Sequence, residues 1–256
     1  MNGTTSVHKT LMKYKLTDET KQFGEITLYR IKALKDFSDV KSGDLGGWVE
    51  GGWNLSQEGD CWVSDNAKVS GNACVSGNAN VHEDAWVYGN AWVYEDAKVY
   101  GRANVYEDAN VYGKARVYGN AKISGNAWVH EDARVYGNAW VYEDAKISGA
   151  AWVYVNAKVY GNACVYEDAN VYGNARVHED AKVSGNAKIS GNAWVYGNAR
   201  VYGYAEVYGD AKVYGNARVS GNAQVYGNAW VSGNTKFYGN AWVCGNKEIC
   251  GNLKVS

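Results

Sequence analysis

The sequence has 256 residues, among them 31 glycines, 21 tyrosines and 11 tryptophans, with no proline and a formal net charge of −1. The near-neutral charge excludes the global basic field of many nucleic-acid-binding proteins. No apolar stretch is long enough to predict a membrane-spanning helix, and the N-terminus lacks the apolar run of a signal peptide. We therefore expect a cytoplasmic protein with no membrane partner, and a composition this biased indicates a repeat.

The segment 1–60 differs in character from the rest of the chain. The stretch YKLTDETKQFGEITLYRIKALKDF predicts two strands joined by a turn, the second being roughly ITLYRIKAL. The stretch GDLGGW at 43–48 is interpreted as a tight turn into the repeat, because the strand and helix that flank a phosphate-binding loop are missing. The sequence thus divides into a cap region at 1–60, which protects the end of the repeat, and a repeat domain at 61–256.

A six-residue period runs from Val63 to Val255 without insertion. The position that defines it holds 28 Val, four Ile and one Phe, and the position four residues later is Ala in 29 of 32 cases. The pattern matches neither a helix nor simple alternation, so it predicts one side of a polygonal β-coil, with the branched residue and the Ala pointing inward. The residue directly after the branched one points outward, and the next two residues form a corner. The second corner residue is Asn or Asp in 28 of 32 units, which predicts that the positive φ angle of the corner falls there rather than on the first.

The unit V-[YSH]-[GE]-[ND]-A-x resembles the hexapeptide repeat of left-handed parallel β-helices. That resemblance implies an all-β triangular solenoid in which three hexads form one coil, so the 33 hexads predict about 11 coils behind a small β-rich N-terminal cap. The N-terminal segment is similar to that of uncharacterised hexapeptide-repeat proteins of enteric bacteria and their phages, some labelled putative transferases. The chain more distantly resembles bactofilin-like polymer-forming proteins.

Residues three hexads apart are expected to stack, which converts the sequence into columns on three faces, numbered from Val63, Val69 and Val75. On the first face an unbroken tyrosine column adjoins a basic stripe, whereas Ser and His interrupt the other two faces. Aromatic side chains either stabilise neighbouring strands or bind a planar or anionic ligand, such as a sugar, a nucleotide or a nucleic acid. The predicted ligand or partner residues are Tyr100, Tyr118, Tyr136, Tyr154, Tyr172, Lys98, Arg116, Arg134 and Trp152.

The motif HEDA begins at positions 82, 130 and 178, but its three histidines are predicted to lie on different faces. No joint metal site is therefore expected. The regular spacing of the Glu-Asp pairs indicates solvated corners, and no catalytic residue is assigned. Cys74 and Cys164 are five coils apart, and Cys244 and Cys250 lie on adjacent faces, so no disulfide is expected.

These features predict a non-catalytic β-helix that self-associates and presents aromatic and basic faces to a partner, with no cofactor. Assembly is expected either as a trimer through the faces or as a dimer through the C-terminal ends, where Lys247 and Leu253 replace inward Ala. One alternative is a binding module that sequesters a nucleotide, nucleic acid or sugar on the Tyr/Arg face or between subunits. The other is the acyltransferase that the resemblance implies. Such enzymes use a histidine base near a subunit interface and a loop that interrupts the coils, and the repeat here is uninterrupted.

Overall fold

The computed structural model describes residues 12–256, which form a parallel β-solenoid preceded by a short antiparallel region. A hairpin of β1 (Tyr14–Phe23) and β2 (Ile26–Ala33) confirms the two predicted strands. It continues into β3 (Leu45–Val49), and a single 3₁₀ turn at Gly52–Asn54 follows. From there one two-residue strand occurs in every hexad, from β4 (Trp62–Val63) to β36 (Lys254–Val255).

The strands of the repeat fall into three sheets, one for each face. Each strand pairs in parallel with the strand three hexads further along, as Lys98 pairs with Arg116 and Val99 with Val117. The first and third faces are 11-stranded sheets, and the second is a 14-stranded sheet that also contains β1, β2 and β3. The predicted coil of three hexads is therefore confirmed.

The solenoid begins before the first hexad that the sequence identifies. Val49 pairs with Val69, and Leu55 forms a bridge with Val75, in both cases across a longer stretch of chain than three hexads. Both side chains are buried, so they fill the core of an additional irregular coil and bring the total to about 12 turns. The GDLGGW stretch contains most of β3 and is not the predicted tight turn. A Cβ atom on Gly46 would lie 2.5 Å from Ile31 Cγ1, so glycine is needed there for close packing.

The core is a column of inward Val, Ile and Ala side chains, which are fully buried from Val63 to Val231. Burying apolar surface supplies roughly 25 cal/mol per Å², and the narrow interior leaves room only for small residues beside each corner. Inter-coil hydrogen bonds satisfy the backbone on all three faces, as in the 2.9 Å bond from the amide of Lys98 to the carbonyl of Ala115. The core therefore stabilises the rod, and the surface columns are free to carry other roles.

The prediction about corner geometry is wrong. The positive φ falls on the first corner residue, which is usually glycine and is otherwise Glu, Asp or Val, as at Glu95 (φ 58°) and Val155 (φ 64°). The Asn and Asp residues at the second position are explained by side-chain ladders instead. Asn120 donates its amide to Asn138 at 3.1 Å, and Asn138 donates to Asn156 at 3.0 Å, one coil at a time. Asn is suited to this position because a single amide both donates and accepts.

Candidate functional site

The tyrosine column predicted on the first face forms a continuous ring stack. The rings of Tyr100, Tyr118 and Tyr136 have centroids 4.9 and 4.8 Å apart and are parallel within 3°. The stack continues through Tyr154 to Tyr172 at 4.9 and 5.1 Å. Burial of the phenol is the main cause that raises the pKa of Tyr118, Tyr136 and Tyr154 above its usual range. These phenols therefore remain neutral hydrogen-bonding groups near neutral pH.

The basic stripe beside this stack has acidic neighbours. Lys98, Arg116 and Arg134 pair on successive strands, and the Arg134 guanidinium lies 5.0 Å from the centre of the Trp152 ring. The predicted residues of this face are thus brought together. A cavity of about 210 Å³ along the stripe is lined by Asp96, Lys98, Lys114, Arg116, Asp132 and Arg134. Because carboxylates adjoin the cations, the attraction of this stripe for an anion is reduced.

A second aromatic stack lies on the second face, where the sequence analysis predicts interruptions. Its five rings belong to Tyr142, Tyr160, His178, Tyr196 and Tyr214, and their centroids are 4.7–5.1 Å apart. An imidazole is a flat ring of similar thickness, so histidine continues the stack, whereas serine breaks it. The long stack on the first face is therefore not unique, and stacking by itself does not distinguish a ligand surface.

The three HEDA histidines lie on three different faces, as predicted. His82 stacks on Tyr100 and His130 on Tyr112, while His178 lies between Tyr160 and Tyr196. Burial lowers the pKa of His130 and His178, with the adjacent Glu acting in the opposite direction. Each imidazole occupies one position in an aromatic column. Among residues 12–256, no group of His, Cys, Asp and Glu is arranged to hold a metal.

The cation–aromatic contacts are concentrated on the second face. Lys122 and Lys158 lie on either side of Trp140, at 4.7 and 5.0 Å from the ring centre. Further along, Arg176 and Lys212 flank Trp194 at 4.8 and 5.5 Å. Such pairs are worth about 0.5–1 kcal/mol at exposed sites. These cations are therefore already engaged with aromatic rings of the protein's own surface.

A column of five cations on the third face was missed by the sequence analysis. It consists of Lys182, Arg200, Arg218, Lys236 and Lys254, which pair strand by strand. The signal was available, because the same three-hexad spacing that gave the first-face stripe also gives this one. The surrounding chain is basic as well, since the segment 181–256 contains eight Lys or Arg and three Asp or Glu.

A slot opens in this part of the third face where serine replaces tyrosine. The cavity has a volume of about 300 Å³ and is lined by Tyr166, Lys182, Ser184, Arg200, Tyr202 and Arg218. Ser184 is nearly buried at its floor, and the Tyr202 side chain is 40% exposed at one wall. In the part of the chain that the structure describes, Lys182, Arg200 and Arg218 form no ion pair and lie over no aromatic ring.

The two ends of the described region differ in surface character. Near the N-terminal end, the buried Lys13 ammonium donates to the carbonyl oxygen of Cys61 at 2.9 Å and contacts its Sγ at 3.1 Å. Burial raises the pKa of the Cys61 thiol, and Lys13 opposes that shift. In the last coil, Lys247 and Leu253 are exposed, and the apolar residue Leu253 is 51% exposed.

No helix in residues 12–256 is long and apolar enough to cross a membrane.

Comparisons with known proteins match parts of the repeat. Segments 115–131, 193–209, 211–225 and 223–235 match a family model described as the YdcK β-solenoid repeat. An uncharacterized acetyltransferase, YdcK, of Escherichia coli K12 is 34% identical over 68 residues, which cover 23% of this chain and 21% of that protein. These matches confirm the resemblance to enterobacterial hexapeptide-repeat proteins that carry transferase names. The aligned region spans about a fifth of the length of the E. coli protein.

A solved structure from Arabidopsis, a UDP-N-acetylglucosamine acyltransferase, aligns with 66% of this chain and 70% of its own. The two are 14% identical and the TM-score is 0.30. A score this low supports no conclusion about fold or function.

The chain is a β-solenoid repeat protein, and short segments of it are similar to YdcK.

Proposed function

We propose that this protein is a non-catalytic interaction scaffold that self-associates and presents its aromatic and basic faces to a partner or ligand. The observation that carries the proposal is the unbroken run of three-hexad coils, on which rings and cations form straight columns. No loop interrupts the solenoid between Val63 and Val255. A chain built in this way displays extended flat surfaces rather than a cleft that encloses reacting groups.

Exposed tryptophans support self-association or partner binding. The side chains of Trp92, Trp128 and Trp242 are 52%, 41% and 62% exposed on regular sheet faces. Large apolar side chains that recur on a flat surface are typical of interaction sites. Sedimentation velocity over a range of concentrations, with native mass spectrometry on the same sample, tests this part of the proposal. We expect a homo-oligomer, either through faces or through the coil that holds Lys247 and Leu253; a monomer at all concentrations would contradict it.

The first face is tested by a multiple substitution that leaves the core intact. Replacing Tyr118, Arg116, Tyr136 and Arg134 by Ser removes two rings and two cations while Val117 and Val135 stay buried. We expect loss of the partner or oligomer contact with retention of the β-solenoid circular dichroism spectrum. Because the second face carries a stack of the same kind, replacing Tyr160, Arg176 and Tyr196 by Ser is the matched control. Unchanged association in the first-face variant would remove that face from the proposal.

Acyl transfer is the competing function, because the E. coli relative is named as an acetyltransferase. The histidines of the three HEDA motifs are poorly placed to act as a general base, because each is stacked in an aromatic column. Among residues 12–256, the one acidic contact of each is with its own Glu, as His178 is with Glu179 at 3.8 Å. The distinguishing measurement is incubation with acetyl-CoA and a panel of amine acceptors. Saturable release of free CoA that depends on the acceptor would contradict the non-catalytic role.

A further inference from the structure

The slot at Ser184 has the dimensions of one missing ring. Stacked neighbours in the aromatic columns have centroids 4.7–5.1 Å apart and interplanar angles no larger than 11°. Tyr166 and Tyr202 are two coils apart in the same column, with Ser184 at the position between them. A planar ring placed above Ser184 would therefore stack on both tyrosines with the spacing that the protein's own rings adopt.

At Ser70 and Ser124 on the second face, neighbouring side chains are already engaged within the protein. The Trp86 indole donates to the Ser70 hydroxyl at 3.1 Å and packs against Tyr88, so that position is filled. Beside Ser124, the Lys122 ammonium lies over the neighbouring indole of the next coil. These positions therefore lack either an opening or a free cation.

Ser220 is the position on the third face most similar to Ser184. It lies one coil beyond Tyr202 and one coil before Tyr238, but neither Ser220 nor these tyrosines line the cavity that runs along Arg200, Arg218 and Lys236. Ser184 is also the more deeply buried of the two serines. The combination of ring walls, a buried floor and free cations is therefore found at Ser184.

The positive charge around the slot indicates that its ligand carries an anionic group beside the ring. Lys182 lies on the same coil as Ser184, Arg200 on the next coil and Arg218 on the one after, so three cations line one side of the opening. Two acidic corners adjoin the slot: Glu179-Asp180 precedes Lys182, and Glu167-Asp168 follows Tyr166, where the Glu167 carboxylate accepts a hydrogen bond from the Gly185 amide. The corners before Arg200 and Arg218 are Gly-Asn. Guanidinium groups match phosphate in both charge and shape. The slot thus combines a ring-binding site with a phosphate-binding rim.

We propose that the Ser184 slot binds a nucleotide, with the base between Tyr166 and Tyr202 and the phosphates on Lys182, Arg200 and Arg218. Aromatic side chains that stack on bases beside a basic track form a general mode of nucleotide binding. Ser184 lines the slot, and its hydroxyl supplies a hydrogen-bonding group at the edge of the ring. This inference rests on the proposed role of the faces in ligand binding and assigns the ligand class to the third face rather than the first.

Isothermal titration calorimetry tests the two halves of the ligand separately. ATP, adenosine and inorganic tripolyphosphate are titrated into the full chain at the same ionic strength. We expect saturable binding of ATP, with adenosine and tripolyphosphate each at least tenfold weaker. Equal affinity for ATP and tripolyphosphate would overturn the proposal, because the cations would then bind phosphate without any ring in the slot. Absence of ATP binding would overturn it as well.

A substitution that fills the slot with the protein's own ring provides the structural test. Ser184→Tyr places a ring between Tyr166 and Tyr202 and should complete the stack, as Tyr160 does between Tyr142 and His178. We expect at least a tenfold loss of ATP affinity with an unchanged or higher melting temperature. Ser124→Tyr is the matched control on the second face and should bind ATP like the unaltered protein. ATP affinity in Ser184→Tyr within twofold of the unaltered protein would exclude the slot.

The oligomeric state measured on the same samples separates this inference from the proposed function. Self-association in a protein that does not bind ATP would leave the scaffold role in place and remove the slot. Binding of ATP by a strictly monomeric protein would support the slot and contradict self-association.

Discussion

The carboxylate of Glu95 accepts a hydrogen bond from the backbone amide of Gly113, one coil further along the rod, at 2.9 Å. Glu143 makes the same contact with Gly161 at 2.7 Å. Glu95 has a φ of 58°, a left-handed conformation that costs non-glycine residues roughly 1–2 kcal/mol. The hydrogen bond across the corner offsets that cost, which explains how glutamate takes a position otherwise held mostly by glycine.

Two substitutions at Glu95 separate these opposing effects. Glu95→Ala keeps the left-handed strain and loses the acceptor, so we expect the free energy of unfolding to fall by about 1 kcal/mol. Glu95→Gly loses the acceptor but also removes the strain, so its effect should be close to zero. Urea denaturation followed by circular dichroism measures both. Equal destabilisation by the two variants would show that strain at the corner is unimportant.

Val155 has the same corner conformation without the glutamate contact. Its φ is 64° and its side chain is 44% exposed, and a β-branched residue is especially disfavoured there. We expect Val155→Gly to raise the free energy of unfolding by about 1 kcal/mol, because the left-handed strain is relieved. Val155→Ala keeps a Cβ atom in the same conformation and should gain less. A destabilised Val155→Gly protein in the same urea assay would contradict this account.

Much of the fold could be predicted because the period is fixed. Once Val63 and Val81 are placed three hexads apart, every later inward residue and every surface column follows by counting. The additional coil at Val49 and Leu55 could not be found in this way, since its longer spacing departs from the period. The corner was misassigned because Asn tolerates positive φ, whereas its actual role depends on a hydrogen bond between coils that only the stacked geometry reveals.

The candidate site was only partly predictable, for a related reason. The longest run of identical residues pointed to Tyr100 and its successors, but the opening at Ser184 is defined by a missing ring. Recognising it requires the spacing and parallel orientation of the neighbouring rings, which the sequence does not contain. It also requires knowing which cations are already paired: within residues 12–256, Lys188 is paired with Glu206, whereas Lys182 has no acidic partner.

The ring stack on the first face is expected to stabilise the rod whether or not it binds a ligand. Tyr136 lies between Tyr118 and Tyr154 and also contacts Trp152 edge-on at 6.2 Å. Removing it in Tyr136→Ser should lower the free energy of unfolding by about 1 kcal/mol, in line with aromatic pairs measured elsewhere. Tyr136→His should retain most of the stability, because histidine occupies the equivalent position at His178. Chemical denaturation of both variants provides the measurement, and equal losses would show that stacking does not contribute.

His178 should make stability depend on pH in the weakly acidic range. Its side chain is 12% exposed, its Nε2 atom is buried and has no partner among the described residues, and burial lowers its pKa. Glu179 and Glu143 oppose that shift, while Arg176 adds to it. As the pH falls, the unfolded imidazole takes up a proton first, at about pH 6.5. The stabilisation from neutral His178 is therefore complete above about pH 6.5 and is lost as the pH decreases from there through the lowered folded pKa.

The substitution His178→Tyr tests this pH dependence because tyrosine keeps a ring in the stack but does not titrate in this range. We expect the drop in melting temperature between about pH 7.5 and pH 5.5 to be smaller in His178→Tyr than in the unaltered protein. Tyr160→Phe, a change to the adjacent ring that removes no imidazole, should retain the full drop. Carboxylates contribute equally to all three proteins, so the difference between them isolates the histidine. An identical pH profile for His178→Tyr and the unaltered protein would show that His178 does not couple protonation to folding.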